Sequence, residues 1–257
     1  MLGTNELTGR DQEDDVRDTG IELGALAFVG VMLLIALWPT DKTAAKVLRK
    51  WNVVDPTPAQ VAESKVYLKR RRLLYPWLFL AIGYGTSKLL PSDDGYFTVQ
   101  VLTTVLAGML LAELIAAVRP SRGVRRVAVL VPRRVRDLVP AWGLVAFFLG
   151  VDVVVVLLVL ARPVAVPALV FLAFCVLTST GAILLAVKRP TSGDEAVDEA
   201  FRLRSARVAL GLGTAVAGVL AVAADPSGYA VPALCLVLIG LGWNLVSPPR
   251  AEAAAGR

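Results

Sequence analysis

"AWGLVAFFLGVDVVVVLLVL" (residues 141–160) runs for twenty residues with a single charge, Asp152, and no proline. As a helix it would be about 30 Å long, the thickness of a bilayer's hydrocarbon core. A helix of that length on a soluble domain carries a polar face that returns every three or four residues. No such face exists here, so the segment reads as a membrane span.

The stretch before it is its opposite. "RPSRGVRRVAVLVPRRVRDLVP" (119–140) holds seven arginines spaced by valine and leucine. On a soluble chain this density of positive charge would point to nucleic acid. Base recognition wants aromatic platforms, and this stretch has no Phe, Tyr or Trp before Trp142. Nucleic acid is therefore not expected as a partner. Beside a span, the stretch reads as a basic loop whose valines sit among lipid tails while its arginines reach phosphates. Val124, Val127, Ala128 and Val131 fit one helical stripe, and Val135, Leu138 and Val139 a second beyond Pro132. The alternative is a short strand through "VAVLV".

The same alternation extends over the whole chain. Of 257 residues, 56% are hydrophobic and 19% charged, against roughly half and a quarter in soluble domains. The excess falls into seven blocks, at about 20–38, 73–90, 97–118, 141–160, 168–187, 208–224 and 231–246. The expected fold class is an all-α polytopic transmembrane helix bundle. Segments 39–72, 119–140 and 188–207 are long and basic, whereas the intervening connections are short. Basic residues near span ends stay in the cytoplasm. With the three basic loops and the 247–257 tail placed there, that side holds 23 of the 27 Lys and Arg residues. The acidic 1–19 tail is then outside and the C-terminus inside. The first block is read as a retained span, since no basic n-region precedes it. The expected location is the cell (plasma) membrane, multi-pass.

Short patterns mark the span ends. Odd spans finish near proline, as in "LWPT" and "KRPT". Even spans are entered through spaced basic residues: "RRRLLYP" (70–76), "RVRDLVP" (134–140) and "RLRSARV" (202–208). These read as helix stops and interface anchors, the alternative being a duplicated hairpin. Span six carries Gly211, Ala215, Gly218 and Ala221 at spacings of three and four, a pattern for close helix packing. By hydropathy, spans six and seven are the weakest.

The 39–72 loop has local structure of its own. Thr40 can cap a helix on which Ala44, Val47, Leu48 and Trp51 form one face, with Lys42, Lys46, Arg49 and Lys50 on the others. That is the pattern of an interfacial amphipathic helix with an aromatic anchor. Thr57, Pro58 and Gln60 make a capping box that opens a second helix to about Arg72, with Pro76 interrupting it before span two. The expected contacts with anionic phospholipid or a protein partner are Lys46, Arg49, Lys50, Trp51, Arg125, Arg126, Arg133 and Arg134.

The chain has no histidine. Serine-protease triads, HExxH zinc sites and histidine-ligated haem are excluded. No catalytic residues, metal ligands or cofactors are expected. Cys175 and Cys235 lie inside apolar blocks and read as small buried residues. Ionisable residues inside a span cost about 2.5–3.5 kcal/mol at its centre and so draw attention as functional candidates. Two stand out. Asp152 sits midway along span four, with Thr178, Ser179 and Thr180 of span five as candidate polar partners. Glu113 lies two turns from the end of span three, within reach of Arg119 or Arg122, and reads as structural.

Seven spans with an outer N-terminus resemble retinal proteins and seven-helix receptors in topology. Retinal needs a Schiff-base lysine, and the seventh span, "VPALCLVLIGLGWNLV", has none. Three functions fit the architecture. They are a non-enzymatic accessory or scaffolding protein with basic docking loops, a small ion-coupled transporter using Asp152, and a lipid-acting membrane enzyme.

Overall fold

In a computed structural model of the chain, the described residues are 20–21, 24–25, 27–32, 34–36, 38–89, 97–118, 126–127, 134–161, 165–189, 191–192, 194–224 and 229–247. After the helical stretch Ala27–Ala36 the elements are α1 (Asp41–Lys50), α2 (Pro58–Leu73), α3 (Tyr75–Leu89), α4 (Phe97–Val118), β1 (Arg126–Val127), α5 (Val135–Leu138), α6 (Ala141–Leu160), α7 (Val166–Lys188), β2 (Thr191–Ser192), α8 (Glu195–Ala221) and α9 (Ala230–Val246). Four helices are long and apolar enough to cross a membrane: Thr98–Val118 within α4, and α6, α7 and α8. The chain is a helical membrane protein.

The helix that hydropathy ranks among the weakest is the axis of the bundle. Every residue of α8 from Val208 to Ala221 is buried, and α4, α6, α7 and α9 all pack against it. Its small residues explain both facts. A Cβ added at Gly211 would lie 2.5 Å from the Gly242 carbonyl oxygen and 2.7 Å from Val246 Cγ2. One added at Gly218 would lie 2.9 Å from Leu238 Cβ. Glycine at these places lets the α8 and α9 backbones touch, the packing that drives helix association in lipid. Because neighbouring helices enclose α8, it needs no greasy surface of its own. The lipid-facing role falls to the outer faces of α6, α7 and α9, where Val145, Phe148, Leu149, Leu177, Leu236, Val237 and Trp243 are exposed.

α8 is also longer than the expected sixth span. Residues 195–207, expected in a loop, are its first half. Asp194 caps this end, accepting from the Val197 N–H at 3.2 Å. It also accepts from Gln60 Nε2 at 3.0 Å. Gln60 belongs to the expected capping box, whose two bonds are present: the Thr57 N–H donates to Gln60 Oε1 at 2.8 Å, and the Gln60 N–H to Thr57 Oγ1 at 3.3 Å. The caps of α2 and α8 are thus joined to each other.

α1, α2 and the first half of α8 enclose a second, smaller core. Leu48, Trp51, Val53, Val197, Ala200 and Phe201 meet there. This corrects the expectation of an interfacial α1: its apolar stripe covers protein, and Trp51, 5% exposed, is a core residue and not a lipid anchor. α1 leaves Ala27–Ala36 at 85° and packs on α2, with Leu48 in the core shared with α8. Beyond α1 the chain reverses through Asn52, whose φ of 72° is left-handed, a conformation asparagine tolerates better than most residues. The Trp51 and Val53 N–H groups both return to the Leu48 carbonyl, at 3.0 and 3.1 Å. Lys65 pairs with Asp41 at 2.9 Å across α1 and α2.

The 119–140 stretch is described at 126–127 and from Arg134. Arg126–Val127 pairs antiparallel with Thr191–Ser192, in the register Arg126↔Ser192 and Val127↔Thr191. The strand alternative therefore holds at Val127; Val124, Ala128 and Val131 of the first helical stripe lie outside the described residues. The second stripe forms the short α5, with Leu138 and Val139 buried.

A bulky residue at Gly211 must push α9 away, a strain of about 1–3 kcal/mol or more. Gly240 has no atom within 4 Å of an added Cβ. Thermal unfolding in detergent should show Gly211→Leu markedly destabilised and Gly240→Leu unchanged. Equal midpoints for the two would refute the close α8–α9 contact.

Candidate functional site

Glu113 sits one turn and a residue from the end of α4, on the face turned to α2 and α8, and is fully buried. A buried carboxylate must be neutralised or fully paired. Here the partners come from two charged helices. On α2, Tyr67 and Arg71 are four residues apart and so share a face. On α8, Arg204 and Ser205 are adjacent.

The Ser205 hydroxyl donates to Glu113 Oε1 at 2.6 Å. The Tyr67 hydroxyl donates to the same oxygen at 3.0 Å and lies 3.2 Å from Ser205 Oγ. Arg204 Nη1 donates to Oε1 at 3.3 Å and reaches Oε2 at 3.5 Å. Arg71 Nε lies 2.7 Å from Oε2, as a charge contact whose N–H direction is off the hydrogen-bond line. The Tyr67 ring stacks on Phe201 at 4.2 Å, and the Arg71 guanidinium lies 5.7 Å from the centre of the Tyr75 ring. One carboxylate thereby ties α4 to both α2 and α8.

The electrostatics follow from this crowding. Burial, reinforced by the Glu113 charge, pushes the Tyr67 hydroxyl up to about 12, so it stays protonated and keeps donating. Burial alone would lower the Arg71 pKa, but the Glu113 carboxylate outweighs it and the net direction is up. Arg72, next along α2, is lowered by burial. Its Nη1 is buried with no hydrogen-bond partner among the described residues.

A second ionic joint lies on the first half of α8. Arg202, fully buried, donates from Nε to Asp198 Oδ2 at 2.6 Å and from Nη1 to the Ala186 carbonyl at 2.9 Å. Arg189 Nη2 reaches Asp198 Oδ1 at 3.2 Å. This cluster fixes the end of α7 to α8. A cavity of about 230 Å3 opens beside the Glu113 cluster, between α2 and the end of α4, lined by Val66, Tyr67, Arg70, Arg71, Leu73, Leu74, Ile115 and Ala116. Among the described residues, no group of three or more His, Cys, Asp or Glu side chains is placed to hold a metal ion.

No protein-family model, curated protein or solved structure matches this chain. The site therefore rests on its own geometry.

Against the expectations, the described partners of Glu113 are Arg71 and Arg204; Arg119 and Arg122 lie outside the described residues. Asp152 is exposed on the outer face of α6. No described residue makes a hydrogen bond or ion pair with it. Its expected partners are occupied or elsewhere: the Thr178 hydroxyl donates to the Phe174 carbonyl at 2.8 Å and the Ser179 hydroxyl to the Cys175 carbonyl at 2.9 Å. Thr180 has no described bond to Asp152. The expected pairing of α6 with α7 through Asp152 is thus corrected; the Thr178 and Ser179 hydroxyls are satisfied on the preceding turn of α7. Lys46, Arg49 and Lys50 are exposed on α1, and Arg134 is exposed before α5. Arg125 and Arg133 lie outside the described residues, and Arg126 is in β1.

Tyr67, Arg71, Arg204 and Ser205 were not singled out from the sequence. A signal was present. "RRRLLYP" contains Arg71 and "RLRSARV" contains Arg204 and Ser205. As local patterns both indicate only interface anchors.

Glu113→Ala leaves the buried Arg71 and the half-buried Arg204 without their carboxylate, a loss of about 3–5 kcal/mol. Replacing Glu113 with Leu and Arg71 with Met together removes most of that penalty. Chemical denaturation in micelles should place the double variant well above Glu113→Ala. A double variant as unstable as the single one would contradict the pairing.

Proposed function

We propose that this chain is a non-enzymatic accessory or scaffolding protein of the cell membrane. It crosses seven times, with the N-terminus outside and the C-terminus in the cytoplasm, and it presents a rigid basic cap to anionic phospholipid or a protein partner. Four of these spans are the long apolar helices, and the other three are proposed for the apolar blocks at about 20–38, 73–90 and 231–246. The cap is formed by α1, α2 and the first half of α8. Its inner face is packed, and Lys46, Arg49 and Lys50 stand on its outer face.

The observation that carries this reading is the Glu113 cluster. Every partner of this carboxylate comes from within the fold, and together they lock the cap onto the bundle. A carboxylate held by two arginines and two hydroxyls is poorly placed to shuttle protons or attack a substrate. It is well placed to hold a docking surface at a fixed distance from the bilayer.

An ion-coupled transporter using Asp152 is the competing reading. A transport carboxylate faces a bundle interior or a water-filled path, and Asp152 is on the outward face of α6. For a lipid-acting enzyme, the two intramembrane carboxylates would have to converge; Glu113 is held on α4 by α2 and α8, while Asp152 faces away on α6. Proteoliposomes give the test. Proton and monovalent-cation flux should match protein-free vesicles for the native chain and for Asp152→Asn alike. A native flux that Asp152→Asn abolishes would overturn the accessory reading.

A further inference from the structure

We infer that the cavity between α2 and α4 is a binding site for one anionic glycerophospholipid, its phosphate on Arg70 and Arg71 and its acyl chain against Val66, Leu73, Leu74 and Ile115. The inference rests on the same membrane placement as the proposed function but not on the accessory role.

The walls name the ligand. At about 230 Å3 the cavity is several times the roughly 30 Å3 share of one water. Val66, Leu73, Leu74, Ile115 and Ala116 supply aliphatic surface. Polar groups enter only through Tyr67, Arg70 and Arg71. A soluble anion such as a nucleotide would find few donors for its sugar and base. An amphiphile with one charged end fits both halves of the lining.

The sign of the charge follows from the ions around it. Glu113 contributes one negative charge, shared between Arg71 and Arg204. Arg70, also in the lining, is exposed. Arg71 meets Glu113 through Nε, and no described residue accepts a hydrogen bond from its Nη groups. The surplus is positive, and guanidinium groups bind phosphate in a planar, charge-assisted way. A zwitterionic headgroup brings its own cation into this surplus; an anionic one does not.

Depth agrees as well. The chain passes from the charged α2 to the apolar α3 at Leu74, and Ile115 is three residues from the end of α4. Arginines with aliphatic walls just beyond them are arranged as a headgroup and the first acyl carbons are.

The test uses the full chain in detergent. Phosphatidylglycerol and phosphatidylcholine with the same acyl chains are titrated, and bound lipid is counted by native mass spectrometry. The inference expects one saturable phosphatidylglycerol, bound about tenfold more tightly than phosphatidylcholine. Arg70→Gln and Ile115→Trp, the second filling the cavity, should each weaken it about tenfold. Thermal unfolding checks that Arg70→Gln, at an exposed position, stays folded. Inorganic phosphate alone should not compete; full competition by phosphate would make the site one for free anion and overturn the lipid. Equal binding of both lipids, or phosphatidylglycerol binding untouched by either variant, would overturn it too. Loss of this site with no Asp152-dependent flux leaves the accessory reading intact. The reverse pattern, lipid bound and flux present, removes that reading and keeps the site.

Discussion

A charge buried at the end of a membrane-spanning helix has to be answered by charges of the opposite sign, and in this protein that requirement organises the whole charged end. Glu113 would be costly alone. Two arginines and two hydroxyls from two other helices answer it. Hydrophobic burial inside the apolar layer cannot by itself fix how charged helices sit beyond that layer, because lipid tails are as apolar as the side chains they would replace. The ion cluster supplies direction where burial supplies none. Asp198, held by Arg189 and Arg202, does the same for the junction of α7 and α8.

α8 serves both halves of the molecule. Its second half is a rod of small residues around which α4, α6, α7 and α9 close. Its first half carries Phe201 and Val197 into the small core with Trp51 and Leu48, and Arg204 and Ser205 into the Glu113 cluster. A displacement of one half is therefore felt by the other along a single continuous helix. The cap behaves as an extension of the bundle.

Much of this was readable from residue order alone. Uninterrupted apolar runs fixed the helices at 97–118 and 141–160 to the residue, because a bilayer leaves backbone groups no alternative to internal hydrogen bonding. The Thr57–Gln60 capping box was equally plain, since its partners are three residues apart. What lay beyond reach was tertiary. The stripe through Trp51 is the same whether lipid or protein covers it, and only the 85° turn before α1 decides in favour of protein. Glu113 finds Arg71 and Arg204 across long separations that no local pattern encodes. Hydropathy ranks α8 low because it measures fitness for lipid, and α8 is wrapped by other helices.

The central claim is that Glu113 holds the cap and the bundle as one body. Hydrogen–deuterium exchange in nanodiscs, comparing the native chain with Glu113→Gln, addresses it directly. The account predicts faster exchange throughout Pro58–Leu73 and over residues 195–205 of α8, with Ala141–Leu160 unchanged. Protection that is unaltered in both segments, or lost only around position 113, would contradict it.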